Sequence, residues 1–220
     1  MRLLVATTNS GKIREIRALL EGAPIQLITL DAWPRLEAPE ETGRTFQENS
    51  RQKALYYAVA TGETTVAEDS GLEIVALGGL PGVESARYGG PRTTYPEKFE
   101  LIEAALHTAS GHRVGSATDH ATRAEADRSA RFVCALTLAR GRDILFETRG
   151  VIEGRIVMPP RGTGGFGYDP IFFYPPYGRT LAEVTAEQKA AASHRGQAFR
   201  ALKSFLLRTD RRGATGVRDR

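Results

Sequence analysis

Two hydrophobic periods alternate along the first third of the chain. Residues 3–6 form a short apolar run that predicts a buried strand, and a second run at 25–30 predicts another. Between them, apolar side chains recur every three or four residues, which predicts a helix closed by Gly22. Residues 46–60 show the same helical spacing. Such alternation of strands and helices is typical of α/β proteins.

The middle of the chain favours antiparallel pairing. Runs rich in β-forming residues at 130–139 and 144–152 are separated by a short Gly-containing turn, which predicts a hairpin. Residues 64–67 predict a strand that runs into residues 68–71, and residues 72–77 predict another strand. Further elements are predicted as a helix at 95–109, a short strand at 170–174 and a final helix at 196–207. Together these patterns predict an α/β fold with a mixed β-sheet.

The composition is ordinary for a globular protein, with 41% hydrophobic and 25% charged residues. A length of 220 residues suits one large domain or two tightly joined lobes. The single cysteine, Cys134, excludes an internal disulfide framework and, among apolar neighbours, is expected to be a small buried side chain. Apolar runs fall short of the roughly 20 residues that span a bilayer, and Thr8 interrupts the N-terminal run too early for a signal peptide. We therefore expect a cytoplasmic protein that does not enter a membrane.

The basic charge of the chain is concentrated at its C-terminus. The formal net charge is +4, and residues 208–220 hold five arginines against two aspartates. This polar, Gly-containing segment is predicted to be a disordered tail outside a single domain at 1–207. The remainder is close to neutral, so nucleic-acid binding is not expected.

A polar turn follows the first strand and leads into the first helix. It consists of Thr7, Thr8, Asn9, Ser10, Gly11 and Lys12. A helix N-terminus offers free backbone N–H groups and a positive dipole, so this turn is a candidate anion site in which Lys12 would join a phosphate. The turn lacks the spacing of a P-loop, which excludes a Walker-type NTPase. The structural alternative is that Asn9 or Ser10 caps the helix and that Lys12 is solvated.

Three acidic residues are candidates for metal binding and proton transfer. Glu40 and Glu41 lie in a predicted loop, and Asp69 is expected at the end of a strand. Mg²⁺ binds through one or two carboxylates together with substrate phosphates, and a carboxylate can also deprotonate an attacking water. The rigid position expected for Asp69 makes it the better candidate. The alternative is an ordinary turn, which Asp-Ser-Gly often forms.

Two further segments combine unusual residues. Residues 162–169 contain four glycines together with Phe166, Tyr168 and Asp169. Such a loop allows its backbone to lie close to a ligand and presents an aromatic face to a nucleobase. His194 and Arg195 lie at the start of a predicted helix, where the dipole disfavours positive charge. The structural alternatives are a flexible loop and a helix capped by Ser193.

These segments occur in an order that resembles one known family. The motifs are Thr7-x-Asn9-x-x-Lys12, Glu41-Thr-Gly-x-Thr-Phe46, Glu48-Asn49, Glu68-Asp-Ser-Gly-Leu72, Gly79-Leu-Pro-Gly82, Ser85-Ala-Arg-Tyr88, Gly164-Gly-Phe-Gly-Tyr-Asp-Pro170 and Ser193-His-Arg195. They resemble the inosine triphosphate pyrophosphatase family (Ham1-like or RdgB-like), the non-canonical purine NTP pyrophosphatases. The resemblance extends from Leu3 to about Leu206.

The resemblance implies hydrolysis of ITP, dITP, XTP and dXTP to the monophosphate and pyrophosphate, with Mg²⁺ as cofactor. It also implies a homodimer, and an elongated mixed sheet flanked by helices in two lobes with a central cleft. Asp69 would be the general base and a metal ligand, and Glu41 or its neighbour Glu40 the second metal ligand. Substrate binding would involve Thr7, Thr8, Asn9, Ser10, Gly11, Lys12, Ser70, Phe166, Gly167, Tyr168, Asp169, Lys189, His194 and Arg195.

Base recognition would follow from O6 of the purine. Phe166 would stack on the base, and a donor such as Arg195 would satisfy O6 of hypoxanthine or xanthine but face the amino group of adenine. Two alternatives stay open. One is a Maf-like pyrophosphatase that acts on modified pyrimidine or methylated nucleotides, and the other is a nucleotide- or RNA-binding module without turnover.

Overall fold

The computed structural model describes residues 1–111 and 128–215. Five α-helices lie within them: α1 (Ser10–Leu19), α2 (Phe46–Thr61), α3 (Tyr95–Gly111), α4 (Ala186–Ala192) and α5 (His194–Thr215). The strands are β1 (Arg2–Val5), β2 (Gln26–Thr29), β3 (Thr65–Ile74), β4 (Ser129–Arg140), β5 (Asp143–Ile156), β6 (Phe172–Tyr174) and β7 (Arg179–Thr180).

All seven strands form one mixed sheet in the order β2-β1-β3-β4-β5-β6-β7. Strand β1 runs parallel to both neighbours, and its Val5 pairs with Thr29 of β2 and Val66 of β3. Strand β6 runs antiparallel to β5 and to β7. The sheet is therefore parallel at one end and antiparallel at the other, which confirms the predicted mixed α/β class.

Two compact units divide the chain, and the division falls within β3, β4 and β5. The first unit comprises Met1–Asp69, Cys134–Gly150 and His194–Arg220. Its strand β1 is buried on both faces, because Leu3 and Val5 pack in a cluster with Phe199 of α5, whereas Leu4 packs in a cluster with Ala54 of α2. Cys134 is fully buried in the first of these clusters, which confirms the expected structural role.

The second unit comprises Ser70–Val133 and Val151–Ser193. Its core is built on the helical spacing of Phe99, Ile102 and Leu106, which places one face of α3 against buried residues of β3, β4 and β6. Phe172 of β6 is fully buried there. This core supports the polar residues of the second unit described below.

The predicted division into two strands around residues 68–71 is wrong, because β3 is continuous from Thr65 to Ile74. Gly71 is required for a different reason from the one the pattern suggested. A Cβ at this position would lie 2.7 Å from the carbonyl oxygen of Gly82, so the glycine allows close approach of another segment. Asp69 consequently lies inside a strand and not at its end.

Other boundaries also differ from the predictions. Helix α5 begins two residues before the predicted start at 196 and continues past the predicted end at 207, so the expected tail boundary falls inside a helix. Strand β7 and helix α4 were not predicted. Much of the polar segment 107–130 lies outside the described residues, as do residues 216–220. Among the described helices, none is both long and apolar enough to cross a membrane.

Candidate functional site

In the first unit, the candidate anion turn lies beside two consecutive acidic residues of β3, Glu68 and Asp69. Strands β1 and β3 run parallel with Val5 beside Val66, so the residues that follow Val5 and Val66 continue in the same direction. Asn9 caps α1 by accepting a hydrogen bond at 3.0 Å from the backbone N–H of Lys12. The N-terminus of α1 is therefore fixed beside Glu68 and Asp69.

Lys12 is paired with a carboxylate and is not solvated. Its side chain is 17% exposed, and its Nζ lies 3.1 Å from Oε1 of Glu68. The sequence suggested that a lysine in the first turn of a helix needs an anionic partner, and Glu68 supplies one. The partner is the residue next to the candidate catalytic Asp69.

Glu68 is the centre of a buried charged network. Arg195 donates to its Oε1 from Nε at 3.0 Å and from Nη2 at 2.9 Å, and the Cys134 thiol donates to its Oε2 at 2.9 Å. Arg195 also donates from Nη1 to Glu15 at 2.7 Å. Burial raises the pKa of Glu68, but the charges of Arg195 and Lys12 outweigh this and hold the pKa well below its usual value. Glu68 is thus an ionised carboxylate shared by two cations.

Asp69 makes a separate set of contacts, because successive side chains of a strand point to opposite faces. Its Oδ2 accepts from Nδ2 of Asn49 at 3.0 Å, and its Oδ1 lies 3.4 Å from Nζ of Lys53. Burial raises the pKa of Asp69, and Lys53 and Asn49 offset part of this rise. A carboxylate of this kind accepts a proton more readily than an exposed aspartate does.

Lys53 joins Asp69 to Glu41. Its Nζ donates to Oε1 of Glu41 at 3.1 Å. Burial lowers the pKa of Lys53, but the carboxylates of Asp69 and Glu41 outweigh this and raise it. Glu40 is exposed, and the structure does not bring it to this lysine. Of the two neighbouring glutamates, Glu41 is the one that lies close to Asp69's partners.

Helix α2 presents Asn49 and Lys53 on one face at a spacing of four residues. A capping box between Thr45 and Glu48 begins the helix. The backbone N–H of Gly43 donates to Oδ1 of Asn49 at 2.8 Å, which ties the loop that carries Glu41 to the helix. Sequence reasoning assigned no role to Asn49 or Lys53. The available signal was a polar pair at helical spacing beside an apolar face.

In the second unit, residues 162–169 form a glycine-rich loop that Asp169 closes. Oδ2 of Asp169 accepts from the backbone N–H of Phe166 at 2.7 Å and also pairs with Nζ of Lys189. The same Nζ lies 4.7 Å from the centre of the Phe166 ring. Asp169 and Lys189 are both buried, whereas Phe166 is half-buried. The ion pair therefore fixes the orientation of an accessible aromatic ring.

Three further predicted residues are Tyr168, Ser70 and His194. Tyr168 is buried, and its hydroxyl donates to the carbonyl oxygen of Ser85 at 2.8 Å while its ring meets Tyr95 edge to face. The side chain of Tyr168 is thus part of the hydrophobic core of the second unit. Ser70 is half-buried on β3, and His194 is buried as the first residue of α5.

The glycine-rich loop predicts a stability difference between two glycine substitutions. Gly165 has φ +67°, and a Cβ there would collide with Oδ2 of Asp169. Gly178 has φ +62° with open space around it, so Gly178→Ala introduces backbone strain alone. We expect Gly165→Ala to lower the free energy of unfolding by at least about 1 kcal/mol more than Gly178→Ala does. Urea denaturation of both variants measures this, and equal losses would mean that Asp169 does not constrain the loop.

The charged groups of the first unit fit a divalent cation brought in with phosphates. The described residues contain no group of three or more His, Cys, Asp or Glu side chains that could hold a metal alone. Asp69 and Glu41, however, share one lysine, so the pair keeps an excess negative charge. Mg²⁺ binds through one or two carboxylates when phosphates and water complete its shell. This donor set suits a metal that arrives with a polyphosphate.

Comparisons with known proteins identify the family of this chain. The model of the Ham1 family matches residues 3–205. A dITP/XTP pyrophosphatase of Thermus thermophilus is 44% identical over 202 residues, which cover 92% of this chain and 90% of the relative. The solved HAM1 protein of Coxiella burnetii is similar with a TM-score of 0.82 and 38% identity, over 94% of this chain and 99% of that one. The Ham1 protein of Staphylococcus aureus gives a TM-score of 0.77 and 33% identity, over 94% and 98%.

The match spans both units and all of the motifs from the turn after β1 to the start of α5. This chain belongs to the Ham1 family.

Proposed function

We propose that this protein hydrolyses nucleoside triphosphates with deaminated purines, such as dITP and XTP, to the monophosphate and pyrophosphate. The observation that carries the proposal is the buried Asp69, which α2 holds beside Lys53 and Glu41 at the edge where α1 begins. Support for the substrate class comes from relatives named dITP/XTP pyrophosphatases at 39–45% identity.

Asp69 serves as the general base in this proposal. It takes a proton from the water whose oxygen bonds to the α-phosphorus, while the bond from that phosphorus to the bridging oxygen breaks and pyrophosphate leaves. Because burial raises the pKa of Asp69, activity declines as the pH falls through that raised value. Lys12 and Lys53 stabilise the negative charge that develops on the phosphates.

Asp69 and Glu41 would hold Mg²⁺, since both are carboxylates linked to the same lysine. The ion would supply charge neutralisation for the triphosphate and lower the pKa of a bound water. The chain's own contribution is to hold both carboxylates in place through Lys53 and Asn49.

The glycine-rich loop at residues 162–169 would bind the purine base. Phe166 is half-buried and lies against the amine of Lys189, so its ring is oriented before a base stacks on it. Gly167, at φ +69°, allows the backbone to approach a flat ligand closely. The other proposed substrate-binding residues are Ser70, His194, Arg195, the turn from Thr7 to Gly11 and the backbone of Tyr168, whose side chain lies in the core.

The reaction is tested by hydrolysis of dITP in water labelled with ¹⁸O. Attack at the α-phosphorus places the label in the monophosphate, with unlabelled pyrophosphate as the second product. Label in orthophosphate, with the diphosphate as second product, would contradict the proposal and indicate an ordinary nucleoside triphosphatase.

The two neighbouring glutamates give a matched prediction about the metal. We expect Glu41→Gln to raise the Mg²⁺ concentration for half-maximal activity by about tenfold or more, because a ligand carboxylate is lost. Glu40→Gln removes the same charge from an exposed side chain and should raise this Mg²⁺ concentration much less. Titration of activity with Mg²⁺ compares them. If Glu40→Gln gave the larger shift, the assignment would move by one residue.

We further propose that the protein is a homodimer, as the sequence resemblance implies, and that it is cytoplasmic and binds no nucleic acid, as its apolar runs and charge distribution indicate. Its mass in solution, measured by light scattering, tests the dimer. A mass equal to the 24.0 kDa of one chain would contradict it.

A further inference from the structure

Glu68 is a carboxylate that the proposed chemistry does not use, although it lies next to the base. Its side chain is 2% exposed, and two cations share its Oε1: Lys12 at 3.1 Å and Arg195 at 2.9 Å. Burying a carboxylate is expensive unless cations and hydrogen bonds compensate, so this arrangement needs an explanation.

The need to neutralise Arg195 does not fully explain why the Glu68 carboxylate is buried. Glu15 already pairs with that guanidinium at 2.7 Å, from a more exposed position on α1. Glu68 also forms an ion pair with Lys12, which lies in the first turn of α1, where a positive charge is unfavourable. The link to Lys12 is therefore the feature specific to Glu68.

Of the two cations that contact Glu68, Lys12 is held less tightly. Arg195 donates two hydrogen bonds to the Glu68 carboxylate, whereas Lys12 makes a single contact with it. Lys12 is also the more exposed of the two cations, at 17% against 3% for Arg195. Lys12 is thus held in place while it can still meet an anion.

We propose that Glu68 is a positioning residue for the triphosphate: it anchors Arg195 permanently and holds Lys12 at the N-terminus of α1, ready for phosphate oxygens. The inference deepens the proposed function and rests on it for the identity of the anion. Phosphate oxygens then join or replace Glu68 as the partners of Lys12, while the Arg195 pair stays in place.

A double-mutant cycle tests the link, with inorganic tripolyphosphate as the probe so that turnover is not needed. Isothermal calorimetry gives its Kd for the wild type, Glu68→Gln, Lys12→Met and the double variant. We expect Glu68→Gln to weaken binding about tenfold in the wild-type background but less than about twofold when Lys12 is absent. An equal effect in both backgrounds would overturn the proposal, since Glu68 would then act without Lys12.

Glu15→Gln is the matched control, because Glu15 pairs with Arg195 but not with Lys12 in the described contacts. It should weaken tripolyphosphate binding by a similar factor whether or not Lys12 is present. Coupling to Lys12 as strong as that of Glu68→Gln would instead mean that the whole network acts together, which contradicts a specific role for Glu68.

Lys12→Met gives an independent test if Glu68→Gln does not fold. Without ligand, it should lower Tm by about 3 °C or more, because buried Glu68 loses a cation. Arg14→Met removes the same charge from an exposed position of α1 and should lower Tm by less. Equal Tm values would show that Glu68 does not hold Lys12. If wild-type protein failed to hydrolyse dITP while these results held, the proposed function would fail and the positioning role would stand.

Discussion

Asp69→Asn is expected to lower kcat for dITP by about 10²–10⁴-fold, the range that a general base contributes. The substitution keeps the shape of the side chain, and an amide oxygen can still accept from Asn49. It removes the group that takes the proton and one of the two carboxylates that would hold the metal. Catalysis should therefore suffer far more than folding.

Steady-state kinetics and thermal unfolding of the same preparation separate the two effects. Asp143→Asn is the control, because it makes the same change at an exposed residue at the start of β5. Its kcat should equal that of the wild type. An Asp69→Asn variant with wild-type kcat would show that another group is the base.

Asp169→Asn is expected to lower stability and nucleotide affinity together. The amide can still accept from the backbone N–H of Phe166, but Lys189 loses the charge of the carboxylate with which it is buried. Breaking a buried ion pair on one side typically costs about 3–5 kcal/mol. Because the pair also orients Phe166, we expect KM for dITP to rise by about tenfold or more.

Urea denaturation and KM measurements test this second prediction. Glu183→Gln is the control in the same unit, since its exposed carboxylate also accepts a backbone hydrogen bond, from Thr180 at 2.8 Å. It should cost less than about 1 kcal/mol and leave KM unchanged. If Asp169→Asn lost stability without any change in KM, Phe166 would not be the surface that receives the base.

The sequence offered candidate residues for the site, but it did not place all of them correctly in the fold. Asp69 was chosen because a strand end would hold it rigidly, yet it lies inside β3. The error came from Ser70-Gly71, which resembles a turn. Gly71 is needed because Ser85 and Gly82 approach its backbone, a long-range contact that a local pattern does not reveal.

The partners of the predicted residues depend on long-range contacts in the same way. Asn49 and Lys53 lie 20 and 16 residues from Asp69, and Arg195 is 127 residues from Glu68. Local spacing could indicate that Lys12 needed an anion, but it could not identify Glu68 as that anion. The elements α4 and β7 were missed because both are short, at seven and two residues.

The proposed reaction and its specificity are tested together by pyrophosphate release from dITP, XTP, GTP, ATP and 5-methyl-UTP, with and without Mg²⁺. We expect Mg²⁺-dependent release that is fast for dITP and XTP, slow for GTP and ATP, and about 10²–10⁴-fold slower in Asp69→Asn. A Maf-like activity would appear instead as preference for 5-methyl-UTP in the same assay. Release from none of these nucleotides would contradict the proposed hydrolysis. Tight nucleotide binding without turnover would then indicate a nucleotide-binding module.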